Sequence, residues 1–395
     1  MTTEEAATGR RPRDRRELIV AAAGRMFAER GFHNVGTDDI AAAVGVTAGA
    51  LYRHVRNKQD LLARTISSSF ERAVEELEHH RDGGLDGLVE ALVAASASRR
   101  DLGVLWTREI RNLDPAYRAE VREQFFALVS LLTEEVRIRR EDLSADDAEL
   151  LVWAIFAVLT SPAYHPTAAS PSFIADVARA MVAAIITTPP PAIPLPPRHG
   201  GPLPTAGATG LLPRSRRERL LIVSTRLFVE RGYPAVSMNE VGEAAGVTGT
   251  AVYRYFPSKS ELLAACLTRA ADPLRLGLDR ALKNARTPTE ALDGVAADYS
   301  EFALRNYELL GLLLGETVNL RGPARQQVRV AQREYIAEWL ALLRGARPGI
   351  APARGSFLVH GAMGVINDVA RTGSLRHRAE VAVRLPGLAV RVLQA

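Results

Sequence analysis

Apolar residues recur at three- and four-residue spacing along nearly the whole chain, with little of the two-residue alternation that a half-buried strand needs. The pattern predicts an all-α protein. In the first half it predicts helices near Arg15 to Arg30, Thr37 to Val44, Ala48 to Val55, Lys58 to His80, Leu85 to Ser98, Leu102 to Leu113, Pro115 to Arg139, Ala145 to His165 and Ser172 to Thr187. In the second half helices begin near Ser215, Met238, Gly249, Lys259, Thr289, Tyr307, Pro323, Pro352 and Leu375. Breakers stand between them: Gly31, Gly45, Gly83 with Gly84, Pro115 and Pro162, then Gly232, Gly246, Pro288, Pro323, and Pro348 with Gly349.

The two halves are related. Phe27 to Ala63 aligns without a gap with Phe228 to Ala264, about sixteen of some thirty-seven positions being identical. Each copy is followed by enough chain for a domain of its own, so the period is that of a duplicated domain and not of a solenoid. Between the halves, Thr187 to Ser215 is rich in proline, which removes backbone donors and fixes φ. An extended tether follows, about 25 residues at roughly 3.1 Å each, long enough for the two halves to meet in many ways. The resulting division is 10–62, a first helix-turn-helix domain; 63–187, a first helical effector and dimerisation domain; 188–213, the tether; 214–263, a second helix-turn-helix domain; and 264–395, a second helical effector and dimerisation domain.

Within each repeat two short helices flank a tight turn, Asp38 to Val55 and Asn239 to Phe256. Gly45 and Gly246 can end the first helix in the left-handed conformation, and Thr47 and Thr248 can cap the second. That is helix-turn-helix spacing. Ala43, Val46 and Leu51, with Ala244, Val247 and Val252, are expected to bury the contact between the helices. Ser237 and Glu240 form a capping box in the second copy, where the first has Gly36. The polar positions Thr47, Tyr52 and Lys58 recur as Thr248, Tyr253 and Lys259, a hydroxyl, a phenol and an ammonium suited to phosphate oxygens. Base reading falls to Ala48, Gly49 and His54, and to Gly249, Thr250 and Tyr255, on the second helix of each pair. Basic clusters, Arg10, Arg11, Arg13, Arg15 and Arg16 and then Arg214, Arg216 and Arg217, precede the repeats. Of the chain's formal charge of +5, the repeats carry about +7 and the remainder about −2.

These residues resemble the N-terminal DNA-binding domain of TetR-family transcriptional regulators. The likeness runs from the basic residues before the first helix, through the Arg-Gly-Phe or Arg-Gly-Tyr turn, to Lys58 and Lys259 and the leucine pairs Leu61–Leu62 and Leu262–Leu263, and it occurs twice. The resemblance implies DNA contacts at Thr47, Gly49, Tyr52, His54 and Lys58, and at Thr248, Thr250, Tyr253, Tyr255 and Lys259. Family members often carry lysine directly after the turn threonine, where this chain has Ala48 and Gly249, so the resemblance does not carry over one backbone contact per unit.

About 120 residues of helix follow each repeat, consistent with the family's effector and dimerisation domain. An echo persists there: Glu109, Asn112 and Leu113 recur as Glu316, Asn319 and Leu320. Polar residues on apolar helices line a ligand pocket, bond helix to helix or are simply exposed. With Trp106, Trp153, Trp339 and His360 they form a candidate pocket set for a partly apolar effector with a polar or anionic group. The last two helices of each half, Ala145 to Thr187 and Pro352 to Leu393, resemble the family's dimerising pair. They pair either within one chain, as a pseudo-dimer, or between two chains.

The single cysteine, Cys266, excludes an intrachain disulfide and a cysteine-rich zinc site, and reads as a buried helix residue. No apolar run is long enough to span a bilayer and no export signal is apparent, so a cytoplasmic protein without membrane partners is expected. No catalytic or metal-binding motif occurs, and no enzyme, cofactor or metal is expected. The leading reading is a ligand-responsive repressor bound to a double-stranded operator of imperfect palindromic form. The other is a ligand-independent DNA-binding or architectural protein with vestigial effector domains.

Overall fold

The computed structural model describes residues 12–79, 83–98, 101–164, 169–189 and 212–395; Arg10 and Arg11, His80, His165 and residues 190–211 of the predicted tether lie outside them. Among the described residues every regular element is helical. The first half runs α1 (Pro12–Arg30), α2 (Thr37–Ala43), α3 (Ala48–Leu51), α4 (Lys58–His79), α5 (Gly84–Ser98), α6 (Asp101–Val104), α7 (Pro115–Arg139), α8 (Ala145–Thr160) and α9 (Pro171–Ile186). The second runs α10 (Arg216–Arg231), α11 (Met238–Ala244), α12 (Gly249–Tyr253), α13 (Lys259–Thr268), α14 (Ala271–Asn284), α15 (Pro288–Arg305), α16 (Tyr307–Glu316), α17 (Gly322–Ala346), α18 (Pro352–Arg371), α19 (Gly373–Arg376) and α20 (Ala379–Leu393). Local chemistry sets many of these limits. Hydroxyls of Ser144, Ser170 and Thr287 each accept the backbone N–H three residues on, and prolines open α7, α9, α15 and α18, where a missing N–H costs nothing.

Three elements differ from the sequence expectation. The long helix expected from Lys259 is broken at Arg269 and Ala270, between α13 and α14. Pro273 accounts for the break, because its ring has no N–H to offer Arg269 and would collide with that residue's carbonyl in a continuous helix. The expected helix Leu102 to Leu113 is instead α6, a wide π-helical turn at Leu105–Glu109 and a 3-10 turn at Ile110–Asn112. The C-terminal helix is divided into α19 and α20.

One apolar core fills the first half and continues into α14 to α20 of the second, through residues such as Ile155, Val158, Val182, Val365 and Leu388. The second helix-turn-helix unit has a separate core of Leu220, Phe228, Val241, Val252, Phe256 and Leu262, closed from behind by Leu312, Leu320 and Val328. The halves meet where α8 packs along α18 and α9 against α20. Glycines allow the close approach: a Cβ at Gly361 would lie 2.5 Å from Met181 Sδ, and one at Gly364 would lie 3.4 Å from the Ala157 carbonyl oxygen. Charges are divided across the seam. Arg378 reaches Glu149 at 2.6 Å and Asp146 at 3.5 Å, and Arg384 pairs with Asp147.

Candidate nucleic-acid interface

In both heads the turn glycine adopts positive φ, +68° at Gly45 and +71° at Gly246, a conformation that a Cβ disfavours. The hydroxyl of Thr47 then accepts the Ala50 N–H at 3.2 Å, and that of Thr248 the Ala251 N–H at 3.3 Å, starting α3 and α12. Leu51 and Val252 are buried as expected, whereas Ala43 and Ala244 are exposed. The inter-helix contact is made one turn edge away, at Ala41 and Gly242. The backbones come so close there that a Cβ on Gly242 would be 2.9 Å from the Gly249 nitrogen. In the first head Asp39 accepts the Gly36 N–H at 2.8 Å; in the second, Ser237 and Glu240 complete the reciprocal box.

Most of the residues singled out for DNA contact are exposed. Tyr52 is 48% and Tyr253 51% exposed, so neither ring is a core residue. The Tyr52 hydroxyl lies 3.1 Å from that of Thr37, and the Thr248 hydroxyl 3.1 Å from that of Thr250. Gly49 stands in open space, while the corresponding second-head position, Thr250, is exposed; Tyr255 is exposed and His54 half-buried. Gly249 is covered by the Asn239 carboxamide. Lys58 and Lys259 open α4 and α13, each ammonium 4.3 Å from a ring centroid, Phe32 or Tyr233, and partial burial lowers the pKa of both. Sequence reasoning omitted Arg53 and Arg254, exposed cations that follow the two tyrosines. Their repetition in both copies was the available signal.

The aromatic turn against which each lysine lies is held from behind by the Glu–Asn echo. Glu109, 2% exposed, accepts the Phe32 N–H at 2.9 Å and the Asn112 amide at 2.8 Å, and Asn112 in turn meets His33 at 3.1 Å. Glu316, fully buried, accepts the Tyr233 N–H at 3.1 Å and bonds Asn319. Glu109, Asn112, Glu316 and Asn319 are therefore clamps on the heads and not pocket walls, a correction to the sequence reading. Their partners are backbone donors about eighty residues away, which only a fold can supply. The cations differ between the clamps. Glu109 pairs with its neighbour Arg108, which also donates to the carbonyls of Phe27 at 3.1 Å and Ala28 at 2.6 Å. Glu316 follows Gly315 and takes its cation from the other half, Arg111 Nη2 at 2.6 Å.

Two cavities adjoin the clamps. The first, about 1000 Å³, is walled by Phe70, Trp106, Phe125, Phe126, Trp153 and Phe156 and includes Arg111, Arg118, Arg122, Arg371 and Arg376 against a single acid, Asp368. The Nε atoms of Arg111, Arg118 and Arg376 and Nε1 of Trp153 are buried without hydrogen-bond partners among the described residues. The second, about 1490 Å³, lies along α13, α14 and α17 and includes His360, Tyr299, Tyr335 and Arg108. Trp106, Trp153 and His360 thus do line cavities. Trp339 does not: it is fully buried, edge-on to Tyr299 at 5.8 Å, and belongs to the core.

Two helix-turn-helix units with exposed polar faces, backed by helical bodies, define a DNA-binding transcription regulator and not an enzyme. The family described as bacterial regulatory proteins, tetR family, matches twice, at residues 19–65 and 220–266. The transcriptional activator FasR of Mycolicibacterium smegmatis is 30% identical over 161 residues, 40% of this chain and 73% of FasR. The repressor KstR of the same organism is 36% identical over 93 residues, 24% of this chain and 46% of KstR. The nucleoid occlusion factor SlmA of Pasteurella multocida is 28% identical over 120 residues, 30% of this chain and 60% of SlmA. The chain thus spans less than two thirds of KstR and SlmA. Among solved structures, the regulator PfmR of Thermus thermophilus is 24% identical, with 44% of this chain and 95% of that one covered at a TM-score of 0.40. The chain belongs to the TetR family and carries two tandem units of it. No helix among the described residues is long and apolar enough to cross a membrane.

Proposed function

We propose that the protein is a ligand-responsive repressor in which one molecule presents both reading heads, as a pseudo-dimer, to one imperfect palindrome. The domain limits are those read from the sequence, and the DNA contacts are the ten residues named there, with Arg53 and Arg254 added. The observation that carries the ligand response is the short segment Trp106 to Asn112. Trp106 and Arg111 stand in the wall of the first cavity, while Glu109 and Asn112, on the same turns, hold the first head. A molecule that shifts this wall shifts the clamp, which is the coupling that a regulator needs. The lining, seven aromatic residues with five arginines, suits an effector with an apolar body and an anionic headgroup.

The pseudo-dimer reading is supported by the seam between the halves. Acids near the start of α8 meet Arg384 of α20 and Arg378 just before it, and glycines of α18 accommodate Met181 and the α8 backbone. Faces that complement each other in charge and size favour this pairing over two like faces from separate chains. A tether also raises the effective concentration of the partner face to about millimolar. The heads differ at Ala48 and Gly249 and at His54 and Tyr255, so the half-sites differ too. The repressor sign follows KstR, whereas FasR is named an activator.

The test begins with an operator selected from random duplexes. Dodecanoate and decyl phosphate, with dodecanol as the uncharged control, are then titrated against the complex by fluorescence anisotropy and against the free protein by thermal shift. Stabilisation and release by the anionic compounds are expected, with derepression of a reporter. Stabilisation by none of the three, or operator affinity unchanged at saturation, refutes the ligand response and leaves ligand-independent binding.

A further inference from the structure

Aligning the clamps shows what the second unit lacks. Glu109 corresponds to Glu316, Asn112 to Asn319, and Arg108 to Gly315. The first unit neutralises its clamp carboxylate with its own neighbouring arginine; the second has a glycine there. Into the space left by that glycine comes Arg111 of the first unit. A Cβ on Gly315 would lie 2.8 Å from Arg111 Nη1, so any other residue would displace the guanidinium. Arg111 Nη2 bonds Glu316 at 2.6 Å and reaches the Gly315 carbonyl at 3.4 Å. Glu316 is fully buried and Arg111 mostly so, and a carboxylate taken that far out of water requires a cation.

The two heads are joined to their bodies differently. The first head is joined to its body by the unbroken α4, and Arg108 further ties the end of α1 through two carbonyls. The second is joined through α13, which stops at the Arg269–Ala270 break, and its turn at Tyr233 is held by Glu316. Lys259, the other cation whose field interacts with Glu316, is one of the residues assigned to phosphate. Loss of Arg111 would draw that lysine toward Glu316 and away from DNA.

Arg111 is also among the residues that line the first cavity, and its Nε is buried without a hydrogen-bond partner among the described residues. The Nε–H and Nη2 groups form one edge of the guanidinium fork, and an anion held in bidentate fashion on that edge uses both. Nη2 is the atom that Glu316 uses. We propose that the first unit controls the second reading head by supplying its clamp cation: an anionic headgroup in the first cavity takes Arg111 from Glu316 and frees the turn at Tyr233. The exchange rests on the ligand-responsive reading above; the supply of Arg111 to the second head does not.

Hydrogen exchange with mass-spectrometric readout on the full chain tests both parts. Arg111→Gln is expected to speed exchange of the peptide spanning Tyr233 to Val236 by about tenfold or more while Phe32 to Val35 is unchanged. Arg108→Gln should do the reverse. Arg111→Gln combined with Gly315→Arg, which rebuilds in the second unit the local pair of the first, should restore protection at Tyr233. Equal loosening of both turns by Arg111→Gln, or no loosening at Tyr233, overturns the assignment. With decyl phosphate, the wild type should gain protection at Trp106 to Arg111 and lose it at Tyr233. In the Arg111→Gln, Gly315→Arg protein the second effect should vanish. Protection of the cavity wall without loss at Tyr233 overturns the exchange and leaves the ligand reading standing, whereas no protection of the wall overturns the ligand reading and the exchange together.

Discussion

His360 provides a quantitative test of how the two halves are packed. It lies on α18, the central helix of the seam, and lines the second cavity, where burial pushes its pKa down from 6.5 to about 4. A histidine whose folded pKa is depressed binds its proton more weakly in the native state than in the unfolded one. Well above pH 7 both states are neutral and the group contributes no pH dependence. As the pH falls from 6.5 towards 4, the unfolded chain takes up a proton that the folded one refuses, and stability declines by about 1.4 kcal/mol per pH unit. The loss reaches about 3 kcal/mol near pH 4 and then levels off. Other groups titrate over this range, so the quantity to measure is the difference between wild type and His360→Asn, from urea unfolding at half-unit intervals between pH 7.5 and 4.5. The difference should be flat above pH 7 and move in favour of the variant by about 2.5 kcal/mol at pH 4.5. An imidazole NMR signal missing from the variant should titrate with its midpoint near 4. Parallel stability curves, or a midpoint near 6.5, would show that His360 is open to water and that α18 is not packed as described.

Three further outcomes are expected. Tyr52→Ala and Tyr253→Ala should each weaken operator binding about tenfold at unchanged helicity and unchanged salt slope, since a phenol releases no counterion, whereas Arg53→Gln and Arg254→Gln should each lower the slope by about 0.9; wild-type affinity in both tyrosine variants would remove the interface assignment. Cys266 is fully buried and its thiol pKa is pushed up to about 12, so the native protein should resist Ellman's reagent at pH 8 and react with one equivalent in urea, and rapid native reaction would contradict its placement. Sedimentation at micromolar concentration should give a species near 42.8 kDa, and a species of twice that mass that survives dilution would sink the pseudo-dimer.

The elements were largely legible because their limits are set by residues close in sequence: prolines at first turns, hydroxyls three residues before a bonded N–H, and glycines able to take positive φ. The same signals marked places where continuity was expected and does not occur. Pro273 dictates the break between α13 and α14, and a reading that weighted hydrophobic spacing above the missing N–H ran one helix through it. Spacing alone places Ala43 and Ala244 in the contact between the short helices. The structure puts it at Ala41 and Gly242, because two helices of seven residues and fewer meet through their backbones and need the smallest side chain at the point of closest approach.

What could not be read was any contact whose second member is a main-chain group or belongs to the other half. Repetition of Glu109 with Asn112 as Glu316 with Asn319 identified residues under a common constraint, yet polar residues on apolar helices fit a pocket and a clamp equally well from sequence. The partners are the N–H groups of Phe32 and Tyr233, which every residue but proline has, so no side-chain pattern reveals them. The informative position was the one where the copies disagree. Arg108 opposite Gly315 reads as divergence until the halves are placed together, when the glycine becomes the opening that admits Arg111. Duplication supplies two clamps of one design, and loss of a cation from one copy is tolerated only where the other copy provides it. The two units are therefore not interchangeable: the second head requires the first unit's arginine, whereas the first unit's clamp carries its own.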